Sequence, residues 1–385
     1  MKAAFALVAL VITLPSVAQS ITRLDGTTIT VAEAKTFADQ TLAEHNITGA
    51  QISVLNNGKM VWSYSYGLAS KSPSRPVDHD TTFAAASISK SYFGTYVMQL
   101  VERGEFNVDT PVAKQLEKPL DQYDGWKTAS ELVKDPRWQK VTPRMLLAHT
   151  AGLPSGSGSE KDSNLHLHFA PGTQWLYSND GMRIVQLAVE QKLHRPLDQL
   201  MHDSLFGPLG MTRTSMIDTP AMHPDVADRY DAKTGVLIDR GRPTVATASG
   251  SVTTSAEDLA RFFTALYAGQ ILKPAARAEL FRPLIPIDSV HESTFSGHHP
   301  VDAEVKPLGM AFGIGWGLLT HTKFGPAFFK EGHIDGANAY VICFDRSQSC
   351  MSILTNNDLG EDAYRPLLEH ILGDTVTPWK WDGYK

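Results

Sequence analysis

Apolar residues recur along the chain first at helical spacing, then in alternation, then at helical spacing again, and this order sets the expected elements. In residues 31–46, Ala32, Ala34, Phe37, Ala38, Leu42 and Ala43 give a helix one apolar face to lay on a sheet. Residues 51–55 and 60–66 are β-rich and flank Asn56-Asn57-Gly58-Lys59, and Asn-Gly between such runs predicts an antiparallel hairpin. A second long helix opens near Ser87, carries Phe93, Val97, Leu100 and Val101 inward, and stops at Gly104. From 105 to 235 the pattern breaks into short helices and loops, with Thr142-Pro143 starting one of them. Ser255 caps a further helix that Gly269 ends, with Asp258 as a capping-box-like partner. Strand-like runs at 312–318, Ala337–Phe344 and Ser349–Thr355 precede a last helix bearing Tyr364, Leu367, Leu368, Ile371 and Leu372. The pattern predicts an α/β (α+β) protein. Its antiparallel sheet, residues 19–104 and 236–385, is flanked by N- and C-terminal helices, and a mainly helical lobe, residues 105–235, is inserted with the site between the two.

Length and charge narrow the function. The 385 residues suffice for two packed lobes, and a formal charge of −6 without any Lys/Arg cluster supplies no surface for a nucleic-acid backbone. Small molecules or peptides are the expected partners. Residues 1–18 read as an export signal, with Lys2, an apolar stretch at 3–14 too short to span a bilayer, and Ser16-Val17-Ala18 before a cleavage point at Gln19. The expectation is a periplasmic or secreted protein with no stable membrane anchor once the signal is removed; an uncleaved anchor is the other reading. Cys343 and Cys350 bracket a hairpin-like turn, and either pair across it or stay as two buried thiols. Residues 287–310, with His291, His298 and His299, form a polar loop fit for a rim or lid, or for plain surface.

Chemistry concentrates in three stretches. Ser87-Ile88-Ser89-Lys90 sets a hydroxyl and an amine one helical turn apart, and small residues before Ser87 leave room for a substrate. At a helix start, developing negative charge is favoured by the dipole. An ammonium cannot accept a proton, so Lys90 acts as base only in its neutral form. Tyr177-Ser178-Asn179 puts a phenol and an amide on one side of an extended segment, the phenol suited to relay a proton and Asn179 to orient a substrate amide. In the run 331–340, a strand edge near Gly336 would lend an oxyanion N–H, with His333 moving protons or binding a carboxylate. Taken alone, each of these two stretches reads more readily as ordinary packing. The pairs His166/His168 and His298/His299 lack the acidic ligand spacing of a metalloprotease, so no metal and no cofactor is expected. His149 reads as structural rather than catalytic.

Taken in this order, the three stretches resemble the serine β-lactamase and penicillin-binding superfamily. The resemblance is to its class C β-lactamase-like branch, which includes DD-peptidases, D-aminopeptidases and family VIII carboxylesterases. It extends through residues 141–154, the Tyr177 loop, residues 206–212, the helix start at Ser255 and residues 312–316. The resemblance implies an acyl-enzyme on Ser87, with Lys90 and Tyr177 handling the proton, Asn179 facing the substrate, and the N–H groups of Ser87 and of a residue near Gly336 holding the oxyanion. The implied substrate is an ester, a β-lactam or a D-residue amide. In place of the family's Lys-Thr-Gly or His-Thr-Gly, an ungapped reading puts His333-Ile334-Asp335, with a one-residue bulge toward Gly336 as the alternative. That departure weakens recognition of a carboxylate and leaves an esterase or peptidase as the main expectation. A true β-lactamase and a slow-turnover penicillin-binding sensor are the alternatives.

Overall fold

A computed structural model of the chain describes residues 19–231, 233–239, 243–287, 303, 305–381 and 383; the export-signal residues and His291, His298 and His299 lie outside them. A short hairpin, β1 (Ser20–Thr22) and β2 (Thr28–Thr30), leads into helix α1 (Val31–Glu44). Thr30 and Glu33 close a reciprocal capping box at its start. β3 (Gly49–Asn56) and β4 (Lys59–Lys71) then turn at Asn57 and Gly58. Both turn residues have positive φ, 49° and 70°, as a two-residue hairpin loop requires.

β5 (Ser74–Pro76) pairs with β4, and β6 (Phe83–Ala86) leaves the main sheet and leads into α2 (Ile88–Glu102). Short helices α3 (Ser130–Lys134) and α4 (Pro143–Leu147) precede the longer α5 (Asn179–Leu193), on which α4 packs, and α6 (Leu197–Met201) follows it. A small hairpin, β7 (Arg229–Tyr230) and β8 (Leu237–Asp239), comes before β9 (Val252–Thr254), which pairs with β6. Ser255 caps α7 (Ala256–Tyr267) by accepting from Asp258 N–H, and α8 (Pro274–Leu280) follows. The C-terminal part supplies β10 (Met310–Phe312), β11 (Gly317–Leu319), β12 (Ala327–Ile334), β13 (Ala337–Phe344) and β14 (Ser349–Thr355). α9 (Tyr364–Leu367) comes last and runs on into a wider π-helical turn.

The eight-stranded antiparallel sheet runs β10-β11-β12-β13-β14-β3-β4-β5. Strand alternation gives each face its own core. Ala339, Val341 and Cys343 of β13 pack with α2 and α7, whereas Tyr340, Ile342 and Phe344 pack with α1 and α9. α2 is buried on nearly every side, and from Ile88 to Met98 Lys90 is its single charged residue.

Two expectations are corrected here. Residues 312–318 form two strands joined by a tight reversal in which Gly313 N–H donates to Trp316 O at 2.8 Å. Gly315, at φ 76°, lets this loop press on α2, since a Cβ there would strike Lys90 O. The run 331–340 is likewise two strands, with Asp335-Gly336 at the turn and unbroken register from Ala327↔Phe344 to Ile334↔Ala337, so no bulge moves Gly336. Cys343 and Cys350, opposite each other on β13 and β14, form a disulfide.

Candidate active site

Ser87 occupies the N-cap of α2 but makes no capping bond with its side chain. Its Oγ lies instead 2.8 Å from Lys90 Nζ and 2.8 Å from Tyr177 OH, both of which donate to it. Ala86, directly before it, is held at φ 43°, a left-handed conformation that an alanine adopts only where its surroundings impose it. Ser89 supplies part of that constraint: its hydroxyl donates to Ala86 O and accepts from Val252 N–H of β9, pinning the start of α2 to its neighbouring strand. The fully buried Lys90 also donates to Ser249 O at 2.5 Å. Nothing in the sequence marks that carbonyl, because it is backbone.

The Tyr177 loop is held from below by His149. Leu176 N–H donates to His149 O and Ser178 N–H to its Nδ1, so one residue grips the chain on both sides of Tyr177. The two rings lie 4.6 Å apart. Burial first, then the charges of Lys90 and Lys330, hold the imidazole well below its ordinary pKa. It therefore stays neutral and keeps Nδ1 as an acceptor. Ser178 caps α5 by accepting from Gly181 N–H, which leaves Asn179 in the first turn. Asn179 Nδ2 donates to Ser155 Oγ at 2.9 Å, within the loop that the sequence marks as Ser-Gly repeats.

The third stretch differs from the sequence reading. Phe328, Lys330, Gly332 and Ile334 share the α2-facing side of β12, as their spacing of two and the packing of Phe328 dictate. Gly332 sits against the nucleophile, where a Cβ would collide with Ala85 O and lie 3.2 Å from Ser87 N. The fully buried Lys330 brings its Nζ to 5.3 Å from the Tyr177 ring centre, with Lys90 Nζ 4.8 Å from the same centre. Lys330-Glu331-Gly332 thus stands where the ungapped reading put His333-Ile334-Asp335. β11 pairs with β12 only as far as Phe329, leaving the backbone beyond it as an open edge beside Ser87.

His333 and Gly336 do not converge on the hydroxyl as expected. His333 falls on the opposite side of the strand, half exposed, with Nδ1 2.5 Å from Glu361, whose carboxylate raises its pKa. Gly336 N–H donates to the Asp358 carboxylate, and the residue packs on Arg229, Tyr230 and Ile238. Its N–H is therefore already engaged. His166 and His168 pair with Asp162 and Glu160, and among the described residues no three His, Cys, Asp or Glu side chains gather to hold a metal.

Comparison with known proteins bears on the family and the fold. The Beta-lactamase family model matches residues 34–373. Penicillin-binding protein 4* of Bacillus subtilis (strain 168) is 23% identical over 370 residues, covering 86% of this chain and 74% of that protein. A Beta-lactamase of Pseudomonas fluorescens is 25% identical over 291 residues, 73% of this chain and 72% of its own length. Esterase EstB of Burkholderia gladioli is 30% identical over 199 residues, 45% of this chain and 48% of the esterase. The octameric penicillin-binding protein homologue from Pyrococcus abyssi superposes with a TM-score of 0.70 at 19% identity, over 91% of this chain and 80% of that one, a likeness of fold alone. With a family match running through nearly all of the described sheet and helices, the chain belongs to the beta-lactamase family, within a serine-hydrolase superfamily whose members include penicillin-binding proteins and esterases.

Proposed function

We propose that this protein is an exported serine hydrolase that forms an acyl-enzyme on Ser87 with an ester or a D-residue amide. One observation carries the reading: Ser87 Oγ is 2.8 Å from both Lys90 Nζ and Tyr177 OH, at the head of a buried helix. As Oγ attacks a carbonyl, Lys90 and Tyr177 take its proton and return it to the leaving group. The carbonyl oxygen gains negative charge near Ser87 N–H, the positive end of α2 and the open edge of β12 after Gly332. Water then repeats the attack on the acyl carbon, its proton passing along the same relay and the acyl group leaving Ser87. Asn179, two residues from Tyr177 and oriented by Ser155, is suited to meet a substrate amide.

The sensor alternative rested on a third stretch read as lacking both the hydroxyl and the glycine; Gly332 supplies the glycine beside Ser87, while Glu331 stands where the hydroxyl residue would be. Export rests on residues 1–18 alone; among the described residues no helix is long and apolar enough to cross a membrane. The test is intact-mass spectrometry of wild type and Ser87→Ala after exposure to a fluorophosphonate, to p-nitrophenyl acetate and to a penicillin. The reading requires a phosphonate adduct and ester turnover in wild type only, and full turnover by Ser87→Ala would overturn it. Rapid opening of the penicillin would mark a β-lactamase, and a lasting penicillin adduct a slow-turnover binder. Recovery of the protein outside the cytoplasm with Gln19 as its first residue tests export.

A further inference from the structure

The end of β12 that runs past the nucleophile is built unlike a receptor for an anion. Lys330 is the cation nearest Tyr177 on that strand, and its Nζ is already paired with the carboxylate of its own neighbour, Glu331. Glu331 alternates to the other side of the strand, yet its carboxylate makes this pair. Both residues are buried, so the pair forms where charges are little screened, and an approaching carboxylate meets a neutralised ammonium with a like charge attached. Farther along, the Glu361 carboxylate pairs with His333, raising its pKa, and the Asp358 carboxylate accepts from Gly336 N–H at the β12–β13 turn. The strand therefore offers an incoming carboxylate no unpaired lysine, since the one it carries beside Tyr177 is held by Glu331.

The same approach is apolar on its substrate side. Ile334 is the next residue after Gly332 on the face turned to Ser87, and it is 37% exposed, an unusual state for an isoleucine on a sheet. The β7–β8 hairpin stands beside it: Ile238 packs on Gly336, and Arg229 Nη1 donates to Asp335 O at 2.9 Å. That hairpin exposes Val236, Leu237 and Ile238, at 61%, 39% and 41%. Apolar surface continuous with a catalytic strand is a place for part of a substrate.

We propose that the site selects esters with an uncharged, apolar acyl chain and rejects acyl groups that carry a carboxylate, with Glu331 and Ile334 setting the preference. The proposal rests on the Ser87 acyl-enzyme reading. Glu331 acts through Lys330, cancelling the charge that would otherwise draw a carboxylate. Ile334 touches the acyl chain itself.

The test compares kcat/KM for p-nitrophenyl pentanoate and for the p-nitrophenyl half-ester of glutarate, which differ only in a terminal methyl or carboxylate. Wild type should favour the neutral ester by about a hundredfold, and Glu331→Thr, with Glu331→Gln as a second variant, should reduce that ratio at least about tenfold. Across acetate, butyrate and hexanoate esters, wild type should gain with chain length, and Ile334→Ser should lose about tenfold on the longest relative to acetate. Equal or better use of the glutarate half-ester by wild type would overturn the proposal, as would ratios unmoved in folded Glu331 and Ile334 variants. Fluorophosphonate labelling separates the two levels: labelling of Ser87 with a preference for the carboxylate sinks the specificity alone, whereas no labelling sinks the acyl-enzyme reading and the specificity with it.

Discussion

Replacing His149 by Asn separates the work of its ring from that of its backbone. His149 sits at φ 61°, and asparagine is among the side chains that accept this left-handed geometry. The amide oxygen of Asn can take over from Nδ1 as acceptor for Ser178 N–H, so the Tyr177 loop keeps its anchor while the titratable ring is gone. In wild type the imidazole is neutral because it is buried, with Lys90 and Lys330 opposing a third positive charge. Its folded pKa is depressed, so its contribution to stability is fully present above the unfolded pKa and is lost as pH falls below it, while the unfolded chain gains a proton that the native state refuses. That window opens at about pH 6.5, the unfolded value, and the loss grows as pH falls toward the depressed folded pKa. The lost ring contacts with Tyr177 and Phe312 should leave the His149→Asn variant about 1–3 kcal/mol less stable than wild type at about pH 8. The stability difference between wild type and variant should therefore shrink progressively as pH falls from about 8 to about 5. Urea unfolding at constant ionic strength, followed by tryptophan fluorescence and far-ultraviolet circular dichroism, measures it, and titration of other histidines cancels in the difference. A difference that stays flat over that range would refute a buried, neutral His149.

Other outcomes follow from the site and its supports. Lys90→Ala and Tyr177→Phe should each lower kcat about 100-fold to 10,000-fold with the fold retained, and the double variant should be little worse than the weaker single one, because the two share one proton. Near-normal stopped-flow rates in either would break the relay. Gly332→Ala should lose most ester turnover in protein whose circular dichroism is unchanged, since the added methyl is directed at Ala85 O beside Ser87. Gly336→Ala should instead cost about 1–3 kcal/mol of stability, from its φ of 77° and the contact with Arg229, and spare kcat in the protein that remains folded. Denatured, unreduced protein should contain no thiol that alkylates, and reduction of Cys343–Cys350 should lower stability by about 2–3 kcal/mol, the chain entropy of so short a loop.

Local signals were sufficient wherever a few neighbouring residues decide the outcome. Asn57-Gly58 specifies its turn, Ser255 its helix start, and the spacing from Ser87 to Lys90 needs only a helix to bring the two side chains together. Where packing decides, the sequence misleads. Residues 312–318 alternate like one strand, and only the close approach of α2 at Gly315 shows why they reverse. The run 331–340 begins one residue after Lys330, and adjacent charges such as Lys330-Glu331 ordinarily mark solvent, yet both are buried, Lys330 beside Tyr177 from a distant segment. The alternation of Phe328, Lys330, Gly332 and Ile334 was nevertheless available, and it identifies the residues facing α2. His333 drew attention as a titratable residue, but its place in that alternation puts it on the far side, with Glu361.

The pairing of β14 with β3 imposes an order on biogenesis. Thr355 lies opposite Ala50, so the middle of the sheet joins segments about three hundred residues apart, and closing so long a loop must come before the reward of the contact. Until the last strands are made, β3 lacks one neighbour, and the edge of β12 that completes the surroundings of Ser87 does not exist. A nascent or truncated chain ending before β12 would carry Ser87, Lys90 and Tyr177 and still have no working site. Onset of ester turnover during refolding would consequently time the arrival of the C-terminal strands, later than the helix formation seen by circular dichroism.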